Sequence, residues 1–184
     1  AIKIAITAMG GQGGGVLSDW LVQVAESNGC YAQATSVPGV AQRTGATVYY
    51  VEIFPKADAE RAGKPPVMAL MPVAGDVDIV IAGELVEAGR AMLRGFVTPD
   101  QTTLIASSHR DYAYAEKSAM TDGRVNADAI IAAGHEKAKQ FICFDMASVA
   151  EEAGSVISAV LFGAIAGSGV LPFGREQFEQ AIRA

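Results

Sequence analysis

The start of the chain, IKIAITAMGGQGGGVLSDW over residues 2–20, limits the possible folds more than any other stretch. An aliphatic run gives way to five glycines and one glutamine, and then to residues at helical spacing. A run of Ile and Ala that stops at glycines and resumes as an amphipathic helix reads as a βα unit with a tight turn. Such a strand belongs inside a sheet, and its helix must pack back over one face.

The remaining segments extend that pattern. Residues 31–37 and 46–54, the second reading ATVYYVEIF, have the β-branched and aromatic content of strands, with 38–45 as the turn between them. Residues 55–66, PKADAERAGKPP, are polar with prolines at both ends and read as a surface loop, followed by a short apolar segment at 67–71. The near-continuous aliphatic run at 76–82 suits a strand buried on both faces, and it leads through Gly83 and Glu84 into a helix over 85–95. Residues 103–107 and 140–145 are further buried strands. Between them lie a partly β excursion, with a turn at Asp122 and Gly123, and a helix over 127–139 capped by Asn126.

Helices are expected at 147–153, 156–167 and 175–184. Within them VISAVLFGAIA, 156–166, is apolar on nearly every face and so should be buried, in the core or against another chain. The expected class is α/β in three layers: a mostly parallel or mixed sheet flanked by helices, opened by a Rossmann-like βα unit, with 46–71 adding antiparallel strands. At 184 residues the chain makes one domain, 1–184, large enough to bury about 70% of its unfolded surface without a disulfide or metal.

Composition narrows the function. A net charge of −6 with 14 scattered Lys and Arg argues against nucleic acid. No apolar run is long enough to span a bilayer and no charged leader precedes one, so no membrane is expected and the chain reads as cytoplasmic. Cys30 and Cys143 lie far apart without CxxC spacing and read as buried free thiols. A cluster held by four thiolates is beyond this chain alone, and no metal site is expected.

A dinucleotide fingerprint requires GxGxxG and an acidic residue at the end of the second strand. In Gly10-Gly11-Gln12-Gly13-Gly14-Gly15 a match begun at Gly11 meets Val16 in sixth place, and the second strand ends in ATSV with no carboxylate. A phosphate loop fails too, because no GK[ST] follows the glycines. The glycines therefore read as allowing a tight reversal and a close helix, while Gln12 needs its own explanation.

A second stretch, SVPGVAQRTGATVYYVE, places Gln42, Arg43 and Thr44 on a loop entering a strand. The Arg fork suits carboxylates and phosphates, although on its residues alone Arg43 reads as a solvated or salt-bridged loop residue. Glu84 sits at a strand's C-terminal edge, where α/β sheets place sites, or simply stabilises the first turn of its helix. His109 and His135 stand outside any acid–base constellation.

The two stretches together resemble the gamma domain of the 2-oxoacid:ferredoxin oxidoreductases, most closely its indolepyruvate branch. The shared pattern is a GGQG turn at Gly10, Gly11, Gln12 and Gly13 and a G-x-AQR-x-G loop at 39–45, with the strand ending in Gly83 and Glu84 and the helix SAVLFGAIAGSGVLPF also similar. Gly14 and Gly15 replace a commoner single Gly, and Thr44 stands where Gly is frequent, which leaves the class intact and the 2-oxo acid open.

The resemblance implies a subunit of an enzyme that oxidatively decarboxylates an aryl-pyruvate such as indolepyruvate to an acyl-CoA. It implies no cofactor in this chain: thiamine diphosphate, Mg and 4Fe–4S clusters sit in a larger alpha subunit, and ferredoxin and CoA meet the complex. It assigns Gly10, Gly11, Gln12, Gly13, Gln42, Arg43, Thr44 and Glu84 to an edge facing that partner near the active site, and no catalytic residue here. The chain stops in a helix at EQAIRA where relatives continue, which implies the N-terminal part of a longer polypeptide. Two other readings stay open: a free-standing dinucleotide-binding protein, and a non-catalytic scaffold of the same fold.

Overall fold

A computed structural model describes residues 1–38, 46–110 and 126–183. The first strand, β1 (Ile2–Met9), lies inside a six-stranded sheet of order β2-β3-β1-β4-β5-β6, where β2 is Cys30–Pro38, β3 Ala46–Pro55, β4 Ile79–Ala82, β5 Thr103–Ser107 and β6 Gln140–Phe144. β1, β4, β5 and β6 run parallel, whereas β3 pairs antiparallel with both β1 and β2. The sheet is therefore mixed, with its antiparallel strands gathered on one side of β1.

Period-two alternation sorts the core into two layers. Ile4 and Ile6, Ile79 and Ile81, and Val51 and Ile53 face one side, packed under α1 (Gly14–Glu26), α6 (Ile157–Ser168) and α7 (Arg175–Arg183). Ala5, Val80 and Leu104 face the other, under α3 (Leu85–Leu93) and Ile130 of α4 (Ala127–Lys137). On the first side α6 is central: Phe162 stacks 5.4 Å from Trp20 and 4.9 Å from Phe178. Only one flank of that helix is buried, through Leu161, Phe162 and Ile165, while Gly163 and Gly167 are exposed.

Several expectations are corrected. Residues 55–66 are not a loop throughout, because α2 (Lys56–Ala62) starts after Pro55 and ends at Gly63, whose φ of 66° closes it. Its residues are mostly good helix formers, and a helix exposed on most sides is as polar as a loop. The segment 67–71 makes no strand; it crosses β2 and β3, with Thr35 Oγ1 donating to the Leu70 carbonyl at 2.6 Å and Gln33 Nε2 to that of Ala69 at 3.0 Å. β6 is an edge strand and so only partly buried, which leaves Cys143 half-exposed while Cys30 is buried. Helix α4 ends at Lys137, and α5 (Met146–Glu152) follows β6 with Asp145 as its cap. The excursion around Asp122 and Gly123 lies outside the described residues. Among those described, no single helix is long and apolar enough to cross a membrane.

Removing the ring that joins α1, α6 and α7 opens a cavity between three helices. Phe162→Ala is expected to cost about 3–5 kcal/mol in a denaturant titration, and Leu93→Ala, at an exposed position, to stay within about 0.5 kcal/mol.

Candidate functional site

The parallel strands β1, β4, β5 and β6 all end at one edge, where α/β sheets place their crevices. After β1 the chain crosses to β2 and β3 on one side, and β4 lies on the other, so the connections diverge between β1 and β4. There the glycine turn meets Gly83.

Gly11 and Gly13 adopt left-handed φ of 86° and 70°, which lets the turn reverse without strain. Gly14 starts α1 so close to β3 that a Cβ would lie 2.5 Å from the Tyr49 ring. Gln12 is 7% exposed and folds back into the turn: the Met9 N–H donates to its Oε1 at 2.9 Å, and its own N–H donates to the Met9 carbonyl at 3.2 Å. The same carboxamide lies against Gly83, where an added Cβ would overlap Oε1. Gly83 is tied to β1 as well, its N–H donating to the Thr7 carbonyl at 2.9 Å. Thus the carboxamide of Gln12 packs the end of β1 against the end of β4.

Glu84 follows and is buried, its Oε1 accepting from the Glu87 N–H at 3.0 Å as the cap of α3. Glu87 is buried beside it and pairs with Arg90. Burial, reinforced by the Glu84 charge and opposed by Arg90, pushes the Glu87 carboxyl above its usual range.

At the ends of β5 and β6 a second polar group assembles. Ser107 Oγ accepts from the Met146 N–H at 3.0 Å and lies 2.7 Å from His109 Nδ1, and the His109 carbonyl accepts from the Leu85 N–H at 3.2 Å. Asp145 caps α5, accepting from the Ser148 N–H and hydroxyl at 2.9 Å each. Those bonds, with the His109 ring adding attraction, hold its carboxyl below the usual range. A cleft of about 520 Å³ opens among Gly10, Gly11, Gln12, His109, Glu151 and Ser155.

Residues 3–184 match the family described as pyruvate ferredoxin/flavodoxin oxidoreductase. The chain belongs to that family. It is similar to the indolepyruvate oxidoreductase subunit IorB of Archaeoglobus fulgidus, at 29% identity over 99% of this chain and 84% of the relative. The pyruvate oxidoreductase subunit PORC of Thermotoga maritima has the same fold, with a TM-score of 0.61 at 18% identity over 99% of this chain and 83% of that one. So does a 2-oxoglutarate:ferredoxin oxidoreductase of Magnetococcus marinus, solved with 2-oxoglutarate, coenzyme A and succinyl-CoA bound: TM-score 0.58 and 12% identity over 98% of this chain, which spans only 26% of that longer one.

The family resemblance read from the glycine turn and the 39–45 stretch together is thereby established, as is the three-layer α/β class with its mixed sheet. Gly10, Gly11, Gln12, Gly13 and Glu84 share one edge in this oxidoreductase-family chain, whereas Gln42, Arg43 and Thr44 lie outside the described residues. Within that edge Gln12 and Glu84 make internal hydrogen bonds, one bracing the turn and the other capping α3. Sequence reasoning passed over Ser107 and Asp145, and set His109 aside as standing outside any acid–base constellation. Their signal was position alone, immediately at or after the ends of two predicted parallel strands. His135, by contrast, lies on exposed α4 with its ring edge-on to Phe141. Among the described residues no group of three or more His, Cys, Asp and Glu is arranged to hold a metal.

Two measurements follow from this geometry. Gly83→Ala is expected to cost about 1–3 kcal/mol by overpacking Gln12. It should cost less in a Gln12→Ala background, giving a coupling of about 0.5 kcal/mol or more in a double-mutant cycle. For Glu87, a folded pKa above the unfolded one means a penalty that is absent below the unfolded pKa and grows as pH rises through the interval between the two. Glu87→Gln is therefore expected to gain stability relative to the parent chain as pH is raised from about 4 towards neutrality, as followed by chemical denaturation at each pH.

Proposed function

We propose that this chain is the small, cytoplasmic subunit of a thiamine diphosphate-dependent oxidoreductase that converts an aryl 2-oxo acid, indolepyruvate, to its acyl-CoA and passes the electrons to ferredoxin. The observation that carries this reading is the similarity to IorB, which extends over nearly the whole of the chain. The coenzyme A and succinyl-CoA bound to the Magnetococcus marinus relative support an acyl-CoA product.

The residues of this chain do not fit the redox cofactors. Cys30 and Cys143 sit on β2 and β6, the two edge strands of the six-stranded sheet. At about 4.8 Å between neighbouring strands they are roughly 24 Å apart, too far to ligate one cluster. Burial also raises both thiol pKa values, with nearby Lys56 opposing this at Cys30, so neither is a ready thiolate. Thiamine diphosphate, Mg and the clusters belong to a larger alpha subunit in this reading. On the same reading the glycine turn and Glu84 supply an edge beside that active site, and Gln42, Arg43 and Thr44 contribute side chains to the same contact.

Purification of the complex from its native cells, with thiamine analysis and optical spectroscopy, tests the proposal. The expected result is a brown, thiamine-containing partner that reduces ferredoxin with indolepyruvate only when CoA is present. A colourless chain that elutes alone and binds NAD would overturn it. In the assembled enzyme, Arg43→Ala is expected to weaken subunit association or turnover about tenfold or more, as loss of a charge-assisted hydrogen bond does; unchanged values for both would remove Arg43 from the interface.

A further inference from the structure

We propose that a cleft beside the start of β1 and the end of β3 binds a free amino acid with an aromatic side chain. Its ammonium meets the buried Glu52 carboxylate, its carboxylate meets Lys64, and its ring lies between apolar walls.

The cleft, of about 520 Å³, opens between the sheet, α2 and residues 64–69. That volume is in the range of small-molecule sites. Lys3 of β1 and Glu52 of β3 are cross-strand partners, and Phe54 follows on the same face, so these three side chains form the floor. Ala62 of α2 stands on one side and Pro66 and Met68 on the other. The glycine turn lies at the opposite end of β1, so the two places are separate.

Glu52 decides what charge the ligand brings. It is 4% exposed, and its carboxylate accepts from the Tyr50 hydroxyl at 2.6 Å and from the Ala69 N–H at 2.9 Å. Burial and the Glu52 charge push the Tyr50 hydroxyl well above its ordinary range, which keeps it a neutral donor. Two such bonds leave part of a carboxylate's accepting capacity unused. Lys3, across the ladder, gives its ammonium to Asp76 and acts on Glu52 only through space. Among the described residues no cationic side chain forms an ion pair with Glu52. Buried charges are normally paired, and a ligand ammonium supplies the missing counter-ion.

The remaining groups fix the class. Lys64 is exposed on the rim, next to the left-handed Gly63 that ends α2, and its cation suits a carboxylate. Phe54, Pro66 and Met68 offer flat and polarizable surfaces to a ring. An ammonium, a carboxylate and an aromatic side chain on one carbon satisfy all three features. A simple amine has nothing for Lys64, and a 2-oxo acid has nothing for Glu52. The cleft therefore separates an amino acid from the 2-oxo acid with the same side chain.

The test is calorimetric titration of the full chain with L-phenylalanine, with amide chemical shifts to locate the ligand. One site per chain is expected, with shifts at Ala62, Lys64 and Ala69. Phenylpyruvate and phenethylamine should each bind about tenfold or more weakly, because each leaves one charge unmatched. Ala62→Trp fills the cleft from an exposed helix end and should abolish binding at an unchanged melting temperature. If that variant is destabilised, Lys64→Ala at its exposed site gives the second reading, an affinity about tenfold lower. Failure to saturate at millimolar phenylalanine overturns the site. Phenylpyruvate binding as tightly as phenylalanine overturns the role of Glu52, and phenethylamine doing so overturns the amino-acid class. Binding that survives both substitutions overturns the placement. All of these outcomes are read on the chain alone, so they stand apart from the subunit reading, which assembly with a thiamine-bearing partner tests.

Discussion

The carboxamide of Gln12, lying against Gly83, is the contact on which the edge at the ends of the parallel strands depends. It accepts a hydrogen bond from Met9 at the end of β1 and fills the space that a side chain at the end of β4 would need. The two strands flank the point where the chain's connections diverge, so a loose contact there would let the glycine turn and the Glu84 cap move independently. Close packing spreads the constraint further. A Cβ at Gly13 would lie 2.8 Å from Ser158 Oγ at the start of α6, and one at Gly14 would strike Tyr49 of β3. Gly13 and Gly14 of the turn, together with Gln12 against Gly83, thus register α6, β3 and β4 against β1.

This explains what the sequence revealed and what it hid. The βα opening, the aliphatic strands and the antiparallel character of β3 were legible because period and glycine placement are local signals. The broken fingerprint was also legible, and it directed attention to Gln12 as a residue without a nucleotide to explain it. The partner of Gln12 was not legible, because Gly83 reaches it only through parallel pairing of β1 with β4. The same holds for Ser107, His109 and Asp145, which the pairing of β5 with β6 brings together. The missed helix α2 failed for another reason: a short exposed helix and a polar loop share one composition, and the flanking prolines favoured the loop.

The two faces of the sheet are finished differently. On one, aromatic rings of α1, α6 and α7 interlock around Phe162, as expected of a face sealed by its own chain. On the other, α3 and α4 cover the parallel strands, while β2 and β3 receive an irregular segment held by Glu52, Gln33 and Thr35. There the segment is held by hydrogen bonds to polar side chains of the sheet. The apolar side chains of that segment, Val67, Leu70, Met71 and Val73, remain exposed.

The cleft at the strand ends has the same character. Ser107 Oγ accepts the Met146 N–H and lies 2.7 Å from His109 Nδ1, which ties the end of β5 to the start of α5. Asp145 is committed to capping α5, and Glu84 Oε1 to α3. Gln12, Glu84, Ser107 and Asp145 each accept from a backbone N–H, so that this edge is fixed by its own chain. The same packing accounts for a motif such as GGQG: its glycines and glutamine set the position of the strand ends against one another.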